Sequence, residues 1–345
     1  MSDSNGGKSI LKNSSSFGRN TASVAELERE IQQESSSDDG DEEERGFGVK
    51  FRSERSIASV KHMTDRSGRV YDDWADVGYF LRYWGIGFSS SKTLTNLRDR
   101  LKDLKSNPLN RPGVVVRYLV QEKFNVNKAE KAFRDMVQWR ERCHALQKDY
   151  EPPAELLEKY PGAILKDTDN DDDPIFLSRL GVTDLTGLAN KYGSDEMLNY
   201  EIFRRESILN GTWQKEWSLK AGRPFKNILV IEDLDNLSSK QGISKVIAAI
   251  FGAAVLDQTY YPCVAKQIIV IRAPAHFRAA WTLAKRSIPK ALRETIQVYG
   301  TSDYLKQLSA HVDLDSMPPC INPKGKGELL EGMSLSLEGG GKVYM

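Results

Sequence analysis

Acidic residues that follow a predicted strand are the first candidates for chemistry in this chain. The apolar run Ile228 to Ile231 leads directly into Glu232-Asp233-Leu234-Asp235. A carboxylate nucleophile and a second acid at the end of a strand, beside a magnesium ion, are the groups that haloacid dehalogenase-like phosphatases use. Those enzymes place Thr or Val two residues after the second Asp, where this chain has Leu237, and no glycine-rich phosphate loop lies nearby. We therefore interpret the acids as a strand end and its turn, and we predict no catalytic residues and no enzyme.

Metal-ligating patterns are equally weak. The acidic turn from Asp169 to Asp173 lacks the glycine and the distal glutamate of an EF-hand, so we expect a solvated loop. The cysteines and histidines show no ligand spacing, which predicts a reducing compartment, no metal site and no cofactor. They are Cys143, Cys263, Cys320, His62, His144, His276 and His311.

An apolar stretch from Tyr260 to Pro274 organises the second half of the chain. Tyr260-Tyr261-Pro262 cannot continue a helix, because proline has no N–H and restricts the residue before it. The β-branched run Gln267 to Ile271 predicts a buried strand, which Ala273-Pro274 ends. Apolar residues at helical spacing then predict an amphipathic helix from His276 to Ser287.

The ordered set of motifs resembles the CRAL-TRIO family of lipid-binding and lipid-exchange proteins over roughly Pro112 to Ile321. Each motif alone is weak, but the order and the spacing are those of the family. The set comprises Val116 to Leu119, Lys123 to Ala129, Trp139-Arg140, Asp173 to Phe176, Ile228 to Leu234, Tyr260 to Pro262, Ala273-Pro274 and Ile296 to Gly300.

The resemblance implies a single lipid bound in an internal cavity and exchanged or presented at membranes. In the family the helix after Ala-Pro is a gate over that cavity, and here it corresponds to His276 to Ile288. The lipid-binding residues predicted on this basis are Phe176, Ile228, Val230, Ile250, Tyr261, Cys263, Ile269, Ile271, Phe277, Trp281, Arg293 and Thr295.

The headgroup residues depart from the family pattern. Members that bind phosphatidylinositol place a glutamate directly after Tyr-Tyr-Pro and a lysine before the strand that follows the gate. This chain has Cys263 at the first position and Thr295, or Glu294, at the second, although Lys290 and Arg293 lie nearby. The polar residues that some members use for phosphatidylcholine fall on Ile228 and Val230. The ligand therefore stays open between a phospholipid and an isoprenoid or tocopherol-like lipid.

The chain divides by composition into four parts. We predict a disordered Ser-rich and acidic arm over residues 1–72, a helical region over 73–150, the lipid-binding domain over 151–325 and a flexible tail over 326–345. The predicted fold is an α/β sandwich of the CRAL-TRIO type. Its strands are predicted at Pro174 to Leu180, Asn227 to Glu232, Gln267 to Arg272 and Thr295 to Tyr299, with helices near Asp195 to Lys215 and Lys240 to Leu256.

Net charge and hydropathy limit the partners. The formal net charge of +1 gives no global argument for nucleic acid. No window approaches the roughly 18 to 20 apolar residues of a membrane span, which predicts a cytoplasmic monomer in transient contact with membranes. The competing hypothesis is an adaptor with a CRAL-TRIO module that recruits partners without transporting lipid.

Overall fold

The computed structural model describes residues 89–330, apart from 108, 148, 211–216, 218–224 and 239–241. The predicted arm over 1–72, the aromatic segment from Trp74 to Phe88 and positions 331–345 of the predicted tail lie outside the described residues.

Three helices form the first layer: α1 (Ser89–Arg100), α2 (Pro112–Gln121) and α3 (Val126–Arg142). Their shared core is an apolar cluster in which Leu94, Leu119 and Phe133 are fully buried. The Asn125 side chain caps α3 by accepting from the Lys128 N–H at 3.1 Å. The Asn127 side chain accepts a hydrogen bond from Arg100, which ties α3 to α1.

A five-stranded sheet forms the centre of the rest of the chain. The strands lie in chain order across the sheet, and each is parallel to its neighbour except the edge pair β1 and β2, which is antiparallel. They are β1 (Gly162–Thr168), β2 (Pro174–Ser178), β3 (Ile228–Asp233), β4 (Ala265–Ala273) and β5 (Ile296–Gly300). The sequence predicted the last four to within two residues at each end. It missed β1, whose three buried apolar residues give way to polar ones too soon for a strand pattern.

Helices connect the strands and cover one face of the sheet. They are α4 (Ala154–Lys159), α5 (Leu185–Asn210), α6 (Ile243–Tyr260), α7 (Ala275–Ala284) and α8 (Lys290–Thr295). The short helix α9 (Tyr304–Leu308) follows β5 and lies on the other face. Helix α5 begins earlier than predicted and is kinked at Gly193, where φ is 80°. The opposite face packs against C-terminal residues that include Leu308, Met317 and Ile321. The predicted α/β class with a helical N-terminal region is confirmed.

Helix α6 is long and apolar enough to cross a bilayer, with 18 residues and a mean hydropathy of 1.2. The prediction that no window approaches a membrane span is therefore wrong by this measure. Val246, Ile250 and Ala254 of α6 are buried in the core cluster over the sheet. Because core helices of globular domains pass the same test, the finding is weak evidence for a span.

The Tyr260 to Cys263 corner is where the helical layer docks. The Trp139 ring stacks on the Tyr260 ring with centroids 3.9 Å apart. The Tyr118 hydroxyl donates to the Tyr260 carbonyl at 3.0 Å, and the Arg117 guanidinium donates to the Cys263 carbonyl at 2.8 Å. The rings and carbonyls of the corner are therefore engaged in contacts with α2 and α3.

A bidentate ion pair reinforces this junction. Arg140 of α3 donates to both carboxylate oxygens of Glu206 of α5 at 2.7 and 2.9 Å. The Tyr261 hydroxyl donates to the same carboxylate at 2.6 Å. Glu206 therefore joins the helical layer, α5 and the corner at one point.

We predict that Arg140→Met destabilises the protein by roughly 2 kcal/mol. This is less than the roughly 3–5 kcal/mol for a fully buried pair, because both side chains keep some contact with solvent. The matched control is Arg142→Met, an exposed position on the same helix, with an expected change within about 0.5 kcal/mol. Chemical denaturation measures both, and equal losses would contradict the role given to the pair.

Candidate functional site

A cleft opens between the covered face of the sheet and helices α5 and α6. The cavity volume is about 50 Å³, and it rises to about 630 Å³ when the open mouth is included. The floor comes from alternate residues of β2, β3 and β4, and the walls come from the C-terminal half of α5 and the middle of α6. The residues that line it are Tyr160, Phe176, Leu180, Glu201, Arg204, Arg205, Ile208, Ile228, Val230, Glu232, Ala249, Ile250, Ala253, Asp257, Val264, Ala265 and Ile268.

Strand parity explains the composition of the floor. Successive side chains of a strand point to opposite faces, so Ile228, Val230 and Glu232 of β3 share the cleft side. Small residues on α6, Ala249 and Ala253, keep that helix from filling the space. The result is a mostly apolar cleft with a carboxyl group on its floor.

The walls hold a compact set of charges. Glu201 accepts from Arg204 at 2.8 Å and from Arg205 at 2.7 Å. Arg205 also donates to Asp257 of α6 at 2.5 Å and to the Ala253 carbonyl at 3.0 Å. Burial opposes ionisation of Glu201, but the two arginines outweigh it and lower its pKa to about 2. The network stays charged and links the two walls.

Glu232 behaves differently. Burial raises its pKa from the ordinary 4.5 to about 7, and the nearby Arg204 guanidinium only partly offsets this effect. Its Oε2 has no hydrogen-bond partner among the described residues. Ser178 lies opposite it on β2 and lowers the pKa slightly, but without the geometry of a hydrogen bond. The floor thus carries a carboxyl group near its midpoint of titration at neutral pH.

Four of the predicted lipid-binding residues lie together in the cleft: Phe176, Ile228, Val230 and Ile250. Two others, Ile269 and Ile271, are fully buried on the opposite face of the sheet with Leu308 and Met317. The strand prediction was right, but the site prediction ignored the alternation of its side chains. Whether any of these residues contacts a lipid stays a prediction.

The corner residues Tyr261 and Cys263 do not line the cleft, although Tyr261 packs in one apolar cluster with cleft residues that include Phe176 and Ile228. The Tyr261 hydroxyl is bound to Glu206, and the Cys263 thiol is directed at the Arg117 carbonyl, 3.8 Å away. Cys263 has a φ of 57°, an unusual value for a non-glycine residue, which turns its side chain toward the helical layer. A headgroup role for Cys263 would need that contact to open.

The predicted gate, His276 to Ile288, consists of α7 and the short turn after it, whereas the predicted headgroup residues Arg293 and Thr295 belong to α8. Phe277 is fully buried and Trp281 is 6% exposed, both in the core cluster that includes the cleft residues Ile250 and Ile268. Arg293 is exposed on α8, and the Thr295 hydroxyl donates to the Leu292 carbonyl at 2.7 Å. Phe277 and Trp281 therefore adjoin the cleft from the core, whereas Arg293 and Thr295 do not line it.

Sequence reasoning missed the charged residues of the cleft. Glu201, Arg204 and Arg205 have the i, i+3 and i, i+4 spacing of a pairing cluster on one helix face. Glu232 is two residues beyond Val230 and so shares its face of β3. Both patterns can be found in the sequence. The position of Asp257 across the cleft, in contrast, could be known only from the fold.

The acids that attracted attention in the sequence serve as ion-pair partners. We predicted a solvated loop for the acidic turn, and that prediction is wrong. Asp169 and Asp173 are buried, and Lys266 pairs with both, at 2.6 and 3.0 Å. An ammonium group thus occupies the space between these carboxylates. Asp233, which ends β3, is bound by Arg179 at 3.2 Å and by Arg272 at 2.5 Å.

Architecture and cleft together define a wound α/β domain with a mostly apolar cleft between the sheet and its covering helices. Residues 158–321 match the family model described as CRAL/TRIO domain. The chain therefore carries a CRAL/TRIO domain over these residues. The resemblance inferred from the sequence is confirmed.

Relatives extend the likeness beyond the domain. The chain is 27% identical to Protein real-time of Anopheles gambiae over 251 residues, 70% of this chain and 36% of that protein. It is 30% identical to Protein ctg-1 of Caenorhabditis elegans over 209 residues, 60% of this chain and 53% of that protein. It is 26% identical to SEC14 cytosolic factor of Candida glabrata over 230 residues, 65% of this chain and 74% of that protein.

The first two of these relatives are much longer than the matched region. The chain spans about a third to a half of their length, 36% and 53%. Among solved structures, that of Sfh5 aligns with 63% of this chain and 83% of its own at 13% identity and a TM-score of 0.46. A likeness that loose carries no argument here.

We predict that Glu232→Gln removes a loss of stability that the wild-type protein shows as the pH rises from about 4.5 to about 7. The folded-state pKa is about 7 against an ordinary 4.5, so the folded protein holds a proton that the unfolded chain releases. The free energy of unfolding therefore falls as pH rises between these values, by on the order of 3 kcal/mol, and the variant lacks that fall.

Denaturation from about pH 5 to about pH 8 measures the difference between the two proteins. Glu294→Gln, at an exposed position of α8, is the control and should follow the wild-type curve. Parallel curves for wild type and Glu232→Gln would contradict the buried, proton-binding role.

Proposed function

We propose that the cleft binds one lipid and that the protein exchanges or presents that lipid at membranes. The observation that carries the proposal is the apolar floor and walls of the cleft, in a domain whose family binds lipids. Each methylene of an acyl or isoprenoid chain buried there contributes about 0.8 kcal/mol. Affinity then needs few polar contacts, which agrees with the apolar Ile228 and Val230 on the floor.

Access for the lipid is proposed through α7. Phe277 and Trp281 belong to the same apolar cluster as Ile250 and Ile268 of the cleft. Moving α7 outward would extend the cleft under this helix and make room for a chain longer than the closed cleft holds. The proposed gate is thus a displacement of α7 followed by closure over the ligand.

The outer surface of α7 and α8 suits contact with anionic lipid. Leu283 is 49% exposed, the most conspicuous apolar side chain on the described surface. From Ala275 to Thr295 the chain has five basic residues, Arg278, Lys285, Arg286, Lys290 and Arg293, and one acidic residue, Glu294. An exposed leucine among basic side chains is the composition of a surface that rests on a charged bilayer.

Location and assembly follow from the same proposal. One relative is named a cytosolic factor, which supports a cytoplasmic protein that meets membranes transiently. We propose that it acts as a monomer and is not an enzyme. The acids that resemble a phosphatase loop support this, because Arg179 and Arg272 neutralise Asp233. The adaptor hypothesis differs in one respect, since an adaptor needs no lipid in the cleft.

We predict that Ala249→Trp abolishes lipid binding. The indole would occupy the space that the alanine leaves at the wall of the cleft. Lipid extracted from the purified protein and identified by mass spectrometry measures the loss. The control is Ser244→Trp, at an exposed position of the same helix, which should retain its lipid. A folded wild-type protein without lipid would favour the adaptor.

We predict that Arg286→Gln with Arg293→Gln weakens binding to vesicles containing phosphatidylserine by roughly 30-fold. Each basic residue near an anionic surface contributes about 1 kcal/mol. The control pair Lys306→Gln with Lys324→Gln removes the same charge at exposed positions outside α7 and α8, with an expected change within about twofold. Equal losses in the two pairs would show a response to net charge and contradict the assignment of this surface.

A further inference from the structure

The basic surface of α7 and α8 is not neutralised by its neighbours in sequence. From Lys285 to Arg293 the chain has four basic residues and no acidic one, and Arg286 and Arg293 are exposed. No ion pair between described residues involves Lys285, Arg286 or Arg293. Other exposed cations do pair, as Lys131 does with Asp135 on α3. Positive charge therefore accumulates on the α7 and α8 surface.

The N-terminal arm, which lies outside the described residues, contains a stretch of the opposite charge. Asp38 to Glu44 has six acidic residues in seven positions. A second acidic run, Asp169 to Asp173, is paired with Lys266 inside the domain. The acidic stretch of the arm therefore complements the basic surface, and attraction between such charges does not require a fixed backbone geometry.

The arm is long enough to bring its acidic stretch to α7 and α8. Residues 45–88 separate Glu44 from Ser89, where α1 begins. At up to about 3.3 Å per residue they span as much as roughly 145 Å, whereas a compact domain of this size is roughly 45 Å across. A tethered segment also has a higher effective concentration at such a surface than a free one.

We propose that the acidic stretch Asp38 to Glu44 docks on the basic surface of α7 and α8 and competes there with anionic lipid. The inference rests on the membrane contact proposed for this surface and adds its regulation. An occupied surface presents less positive charge to a bilayer. The protein then binds only membranes whose negative charge is sufficient to displace the arm.

Carbodiimide crosslinking of the full chain tests the contact directly, because the reagent joins a carboxylate to a lysine amine that lies beside it. We expect crosslinks from Asp38 to Glu44 onto Lys285 and Lys290, within the monomer. They should be about fivefold more abundant than crosslinks onto the exposed Lys306 and Lys324. Equal yields at the two pairs of lysines would overturn the proposal. Crosslinks found only in dimers would also overturn it, by assigning the surface to a second copy of the chain.

Vesicle binding tests the competition. The neutralised-arm variant carries an amide in place of each of the six acids. We expect it to bind vesicles containing phosphatidylserine about tenfold more tightly than the wild-type protein does. Its substitutions are Asp38→Asn, Asp39→Asn, Asp41→Asn, Glu42→Gln, Glu43→Gln and Glu44→Gln.

A background that lacks part of the basic surface separates docking from net charge. Combined with Arg286→Gln and Arg293→Gln, the neutralised arm should improve vesicle binding by no more than about threefold, because fewer cations remain for the arm to cover. A response to net charge alone gives the same gain in both backgrounds, and that result would overturn the proposal.

The outcomes distinguish this inference from the proposed function. Equal vesicle binding by the wild-type protein and the neutralised-arm variant overturns the docking and leaves lipid and membrane binding intact. Absence of vesicle binding in all four proteins overturns the membrane contact and this inference with it, whereas lipid extracted from the purified protein still tests the cleft.

Discussion

The ion pair between Arg205 and Asp257 determines the spacing of the helices that wall the cleft. It joins α5 to α6 at 2.5 Å, and Arg205 adds a bond to the Ala253 carbonyl one turn earlier on α6. Buried ion pairs contribute little net stability, because desolvation offsets their attraction. They do require a particular geometry, and two apolar helices without this pair would be free to close on each other. Glu201, held by both arginines, makes α5 rigid at the same level.

The balance of that network explains the state of Glu232. Among the described contacts Arg204 donates to Glu201 and not to Glu232, so it lowers the pKa of Glu232 only through space. The carboxyl group is left with burial as the dominant effect, and its pKa rises. A leucine at this position would pack without leaving a buried polar atom unpaired. The presence of a glutamate there therefore suggests a functional role. The cleft therefore has one more acid than it has bases, and Glu232 is the acid without an ion-pair partner among the described residues.

The sequence predicted the positions of the strands better than the face of the sheet to which each side chain points. The β-branched runs and the Tyr-Tyr-Pro and Ala-Pro breaks located four of the five strands, because buried parallel strands have a strong apolar signal. A continuous apolar run does not show which side chains point to which face of the sheet. Ile269 and Ile271 were therefore grouped with residues of the other face. Strand β1 was missed because its three buried apolar residues are followed at once by polar ones, which is too short a run for a strand pattern. The Arg205–Asp257 contact spans 52 positions, and no local pattern predicts which helices will meet.

The docking of the helical layer determines where a headgroup can be recognised. Residues of the corner that follows α6 are engaged before any ligand arrives: Tyr260 by Trp139, Tyr261 by Glu206 and Cys263 by Arg117. A glutamate at position 263 would have to leave the partly buried contact that the thiol makes, or carry a charge into it beside Arg117. The chain has a carboxyl group elsewhere, on the floor of the cleft, at the end of the Ile228-Val230-Glu232 row. Because Glu232 lines the cleft and the corner residues Tyr260 to Cys263 do not, the acid that the cleft presents comes from the sheet and not from the corner.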